Sequence, residues 1–210
     1  MKTKNNLLNL IGQIRIYSLI DLILLLIAIK AGSFQFVGVI LLHLGFLLFL
    51  EHSHKHKYRN PFPKYLWVFL ILGGVFFYKS FFVIGFLIFS FLYTKKNVAN
   101  LGIYSPIFRG FQNYFLAAGI IGFLNPLSFL AGGLLALRNL AGDFRDVEKD
   151  KKEKLKTFPI ILGFKKDMKY VYLPSLFVTT LVWWNMSNIS VIWLIVVYLI
   201  QLGTYNLTPR

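Results

Sequence analysis

Carboxylates are the scarcest reactive groups in this chain, and their placement is the first pointer to chemistry. Of 210 residues only eight are Asp or Glu, and five of those lie between Asp143 and Glu153. Asp143, Asp146 and Asp150 stand at i, i+3 and i+7, so a continuous helix would carry them on one stripe, within roughly 60° of arc. Three carboxylates on one stripe repel unless a cation compensates. Mg²⁺ meets that need, since it takes oxygen ligands and is held by one or two carboxylates together with substrate phosphates. Arg145, Lys149, Lys151, Lys152, Lys154 and Lys156 surround the acids and can complement a polyphosphate. Pro159 closes the stretch, because the residue before a proline resists the helical conformation. On spacing alone, a solvated loop of mixed charge accounts for the same pattern.

The elements that must position these groups are apolar. Hydrophobic residues make up 57 % of the chain and aromatic residues 18 %, with a mean hydropathy of +0.63. A soluble domain of this size cannot hide so much apolar surface, and a bilayer is the natural solvent for it. The formal charge of +15 comes from Lys and Arg placed between the apolar runs. That placement points to membrane orientation by the positive-inside rule and away from nucleic acid. Absence of cysteine excludes disulfide and thiol chemistry.

Apolar runs fall at about 16–31, 33–50, 65–78, 80–94, 107–123, 126–142, 169–184 and 189–205. Several are shorter than the ~20 residues that cross a hydrocarbon core. Loops 51–64, 94–106 and 143–168 are basic, whereas those near 32, 79, 124 and 186 are tight and nearly uncharged. The reading is a single all-helical domain over 1–210: a polytopic bundle of about eight spans with both termini and the acidic stretch in the cytosol. Residues 1–14 read as a basic interfacial helix rather than a signal peptide. Similar loop order suggests two halves of four helices each. Arg138 and Asn139 fall inside the sixth run, and polar groups at membrane depth are functional candidates.

The stretch Arg138-Asn139-Leu140-Ala141-Gly142-Asp143-Phe144-Arg145-Asp146-Val147-Glu148-Lys149-Asp150 resembles the second aspartate-rich motif of UbiA-type intramembrane prenyltransferases. Lys156-Thr157-Phe158-Pro159 and then Gly163 are similar to that family's K-T-L-P…G, and Tyr104-Ser105-Pro106, Arg109 and Asn113 to its Y-S-P…K/R…N segment. Arg15 sits where the family usually has an arginine. The wording D-x-x-D-V-E-x-D is closest to the archaeal ether-lipid branch. The resemblance implies a helical bundle around a central cavity, in which Mg²⁺ helps ionise an allylic polyprenyl diphosphate and the cation alkylates a lipid-soluble acceptor. It implies catalytic roles for Asp143, Asp146, Arg109 and Asn113, and metal binding by Asp143, Asp146 and Asp150. Arg59, Arg138, Arg145, Lys149 and Lys156 would hold the diphosphate. Aromatic faces can stabilise a cation in such a cavity, although most aromatic residues here must serve lipid contact and helix packing.

The family's first aspartate motif is not found. Arg59-Asn60-Pro61-Phe62-Pro63 resembles the element that follows it, but the preceding Leu50-Glu51-His52-Ser53-His54-Lys55-His56-Lys57 has Glu51 as its only acid. His52 and His56 share a helix face at i, i+4 and are candidates, with His54, to bind the diphosphate in place of one metal; a separate metal site or a headgroup-facing cluster is the alternative. Asp21 inside the first run is either paired at membrane depth or snorkelling to the interface. His43 reads as a hydrogen-bonded helix contact.

Two functions follow. One is a Mg²⁺-dependent membrane prenyltransferase; the other is a catalytically impaired relative that binds a prenyl or lipid ligand or serves as a partner subunit. A transporter is a weaker third, because only Gly73-Gly74 and Gly132-Gly133 suggest broken helices.

Overall fold

The computed structural model describes residues 12, 14–53, 63–96 and 100–205. Among these residues the chain is helical and has no strand. Every expected apolar run forms a helix: α1 Ile16–Ala28, α2 Ser33–Ser53, α3 Leu66–Tyr78, α4 Val83–Thr94, α5 Ser105–Ile121, α6 Pro126–Arg145, α9 Tyr172–Ser187 and α10 Val191–Tyr205. Two short helices, α7 Val147–Lys152 and α8 Phe158–Ile161, lie in the loop after α6. Helix starts follow local chemistry. Pro126 occupies the first turn of α6, where its missing N–H is no loss, and the Asn125 side chain accepts the Leu127 N–H at 2.9 Å.

Among the described residues one helix, α2, is long and apolar enough to cross a membrane, with 21 residues and a mean hydropathy of 2.1. The apolar helices α1, α3, α4 and α10 have 13, 13, 12 and 15 residues. At 1.5 Å per residue they reach about 18–23 Å, short of a ~30 Å hydrocarbon core. Helix α6 has 20 residues, but Arg138, Asn139, Asp143 and Arg145 make it too polar for that class.

The chain forms two compact units, Met1–Lys79 with Leu181–Arg210, and Ser80–Thr180. They are not the two sequence halves, because the C-terminal helix belongs with the first. In the first unit α2 packs on α3 and α10 on α1. Backbones touch at the α2–α3 contact: a Cβ on Gly38 would lie 2.5 Å from the Tyr78 backbone nitrogen. On α10, Tyr205 meets the Tyr17 ring edge-on at 5.5 Å, and Gln201 Nε2 donates to the Tyr17 carbonyl at 3.2 Å.

In the second unit α5 packs between α4 and α6. Gly110 and Gly132 let α5 and α6 approach; a Cβ on Gly110 would lie 2.9 Å from the Gly132 carbonyl oxygen. This contact sets Arg109 and Asn113 on α5 at a defined height beside α6. Gly110→Ala is expected to destabilise the protein by about 1–3 kcal/mol, since a backbone atom cannot yield as a side chain can. A chemical or thermal unfolding curve checks it.

Candidate functional site

In the second unit the polar side chains gather at the end of α4, the start of α5 and the end of α6. Helix α4 ends in a turn carrying Lys95 and Lys96, with Tyr93 buried just before it. A 3₁₀ turn, Leu101–Tyr104, leads directly into α5, whose first residue is the buried Ser105. The Ser105 hydroxyl donates to Asp143 Oδ2 at 3.1 Å and accepts from Asn139 Nδ2 at 3.5 Å. Tyr93 OH in turn donates to Asn139 Oδ1 at 3.2 Å. A hydrogen-bonded line therefore runs from α4 to the acidic end of α6.

The three aspartates do not share one helix. Helix α6 stops at Arg145, Asp146 has non-helical φ −107° and ψ 23°, and α7 begins at Val147. This corrects the expected continuous stripe, and the break separates the acids into two kinds. Asp143 and Asp150 are buried, at 7 % and 3 % exposure. Asp146 instead receives both Nε and Nη2 of Arg145, the Nε bond at 2.7 Å, and Arg145 lies over the Tyr172 ring with its carbon 4.6 Å from the centroid. Two carboxylates face inward; the third is neutralised at the rim.

Burial raises Asp143 to a pKa of about 7; Lys96 opposes the rise, the charge on Asp150 adds to it, and the Ser105 bond opposes it. Burial likewise raises Asp150 to about 6, with Lys96 again opposing. Burial pulls the Lys96 ammonium down, but Tyr93, Asp150, Asp143 and Glu153 together outweigh it and leave its pKa above the ordinary value. One lysine thus serves two buried carboxylates. Ser105→Ala should push Asp143 further up and lower stability by about 1–2 kcal/mol near pH 8, with little effect near pH 5. Thermal midpoints at the two pH values test this.

Other predicted residues fall around this core. Arg109 is buried, donates through Nη1 to Gln112 Oε1, and lies over the Tyr93 ring at 5.5 Å; Gln112 Nε2 donates to Ser90 Oγ at 2.7 Å. Asn113 is buried one residue on. Arg138 is buried and donates to Thr179 Oγ1 at 3.4 Å. Lys149 is half-buried and Lys156 exposed. The Lys156 backbone nonetheless reaches the site: its carbonyl oxygen lies 2.9 Å from where a Gly102 Cβ would be. The next residue, Thr157, is fully buried, and its Oγ1 has no hydrogen-bond partner.

In the first unit, Arg15 pairs with Glu51 at 3.5 Å, Asp21 and His43 are buried, and His52 is exposed. Arg59, His54, His56 and residues 1–11 lie outside the described residues. Sequence reasoning passed over Lys96, Tyr93, Gln112 and Ser90 as site residues. Lys96 was legible only as half of a basic pair ending an apolar run, a pattern that also marks topology.

Among the described residues no group of three or more acidic or histidine side chains is arranged to hold a metal. Asp143 and Asp150 still suit Mg²⁺ as a donor set: two buried oxygen ligands with too little positive charge beside them. Beyond the polar cluster, an apolar groove of about 370 Å³ runs between α5 and α6, lined by Ile107, Phe111, Phe115, Phe129, Ala136 and their neighbours.

Neither a family model, a curated protein nor a solved structure matches this chain.

Proposed function

We propose that the chain is a multi-pass membrane prenyltransferase that moves a polyprenyl group from an allylic diphosphate to a lipid-soluble acceptor. The helices would cross the bilayer about eight times, with both termini and the acidic segment on the cytosolic side. One observation carries the reading: the carboxylates Asp143 and Asp150 are both buried, and burial pushes both upward against the opposing charge of Lys96. Burying two carboxylates side by side is costly in their charged form. Such a pair suits a site that takes up a cation with a polyanion.

Bound there, Mg²⁺ would supply charge stabilisation for a departing diphosphate. Asp143 and Asp150 would hold it, Ser105 would orient the Asp143 carboxylate, and Lys96 would keep both acids ionised while the site fills. Arg109 and Arg138 already have partners, so their part is positive potential toward the diphosphate. In the reaction the allylic C–O bond breaks with its electron pair on the diphosphate. The acceptor then bonds to the carbon and loses a proton. The aromatic groove between α5 and α6 offers a water-poor surface for an isoprenoid chain.

The experiment is direct. Purified protein in lipid, given Mg²⁺, labelled polyprenyl diphosphates and lipid-soluble acceptors, should release pyrophosphate. No release at any chain length favours the second reading, a relative that binds a prenyl or lipid ligand or serves as a partner subunit without turnover. The tie between Asp146 and Arg145 is the observation that favours this alternative.

A further inference from the structure

Between Lys149 and Tyr170 the chain holds eight lysines and three acids. Of the three acids, Glu153 alone is exposed, among Lys151, Lys152 and Lys154. Asp150 is buried, and Asp167 Oδ1 accepts the Glu148 N–H at 2.7 Å. Lys151, Lys152, Lys154, Lys165, Lys166 and Lys169 are all exposed.

Apolar side chains stand exposed in the same segment: Ile161 at 54 %, Leu162 at 55 % and Tyr170 at 86 %. The backbone holds them there. From Lys154 to Pro159 exposure alternates, with Leu155, Thr157 and Pro159 turned in and Lys154, Lys156 and Phe158 turned out. Gly163, at φ 86°, closes α8 with its N–H bonded to the Ile160 carbonyl at 3.1 Å and the Phe164 N–H to the Pro159 carbonyl at 3.0 Å. Phe164 packs edge-on against Phe144 at 5.0 Å, and the Met168 N–H donates to the Phe144 carbonyl at 2.9 Å. The segment is therefore a fixed platform built on the end of α6. A shallow recess of about 250 Å³ opens on it, lined by Asp167, Met168, Lys169, Tyr170 and Val171.

We infer that this platform docks on an anionic lipid surface, with Ile161, Leu162 and Tyr170 entering the acyl boundary and Lys165, Lys166 and Lys169 meeting headgroup phosphates. The occupant follows from two features of one segment. Interleaved lysines select an anionic partner, and each contributes about a fivefold preference near a charged bilayer. Exposed apolar side chains beside them need a partner with an apolar layer just below its charges, as a leaflet has and a free polyphosphate or nucleic acid lacks. The inference rests on the membrane reading of the chain but not on turnover.

The absence of native cysteine makes a clean probe available. Met168→Cys carrying an environment-sensitive dye is placed in nanodiscs of phosphatidylcholine, with or without about 30 mol % phosphatidylglycerol. Emission should shift to the blue, and lipid-borne quenchers should reach the dye, only in the anionic discs. About 0.5 M salt should reverse the shift. Lys165→Glu, Lys166→Glu and Lys169→Glu together should abolish it while the thermal midpoint stays unchanged, and Ile161→Ser with Leu162→Ser should weaken the quenching. Equal spectra in both discs overturn the inference. So does a shift driven by inorganic pyrophosphate in neutral discs, which would assign these lysines to substrate phosphates instead.

Discussion

Asp143→Asn and Asp150→Asn are each expected to lower pyrophosphate release by at least about 10²-fold, the usual consequence of removing one electrostatic stabiliser from a preorganised site. Asp146→Asn is expected to cost less, about tenfold, because Arg145 already holds that carboxylate. The ranking departs from the one that spacing alone supports, in which all three acids are equal. Stability should move the other way. Asn keeps the shape of the side chain and accepts the Ser105 hydroxyl, but it removes a charge that burial disfavours. Metal-free Asp143→Asn should therefore melt above the wild type near pH 8 and close to it near pH 5. Lost turnover with gained stability is the signature of a functional carboxylate. Lost turnover with lost stability would mark Asp143 as a structural residue and count against the prenyltransferase reading.

Lys96→Met should destabilise the metal-free protein by about 3–5 kcal/mol near pH 8, since it strips the shared cation from two buried carboxylates. The sign with pH follows from the shifts. Asp143 and Asp150 titrate at about 7 and about 6 in the fold and at 3.8 in the reference state. Over that window the folded state binds more protons than the unfolded chain, so stability falls as pH rises. Lys96 works against this fall. Its folded pKa lies above 10.5, so its own contribution is complete at neutral pH and is lost only at strongly alkaline pH. The wild type should thus lose some stability between about pH 5 and pH 8, and Lys96→Met much more. Lys96→Arg should recover part of the loss, and added Mg²⁺ should flatten the wild-type profile. Thermal midpoints across the range, with and without Mg²⁺, decide the matter. A Lys96→Met profile parallel to the wild type would separate Lys96 from the acids.

Much of the architecture was legible in residue order. Each apolar run became a helix because unbroken stretches of Leu, Ile and Phe, bounded by Pro, Gly or charge, are long enough to satisfy their own backbone groups within the segment. The scarcity of acids likewise pointed to the end of α6 as the place to look. What local pattern could not reveal was the break at Asp146. Spacing at i, i+3 and i+7 assumes that a helix continues, and whether it does depends on the partners its side chains find. Arg145 folds back onto Asp146 and stacks on Tyr172, twenty-seven residues away, and the helix ends there. The same dependence on distant partners hid Lys96. A lysine at the end of an apolar run looks like a topology mark until the fold brings it within electrostatic reach of Asp143 and Asp150. Nor did loop order foretell the two units, because the pairing of α10 with α1 joins residues almost the full length of the chain apart, through Gln201 and the Tyr17 carbonyl. The sequence by itself determined the helices and the neighbourhood of the acids, through hydrophobic runs and composition. Which of those acids are buried, which cation they share and which one is neutralised at the rim were decided only by tertiary packing, because burial and charge pairing belong to groups brought together from separate helices.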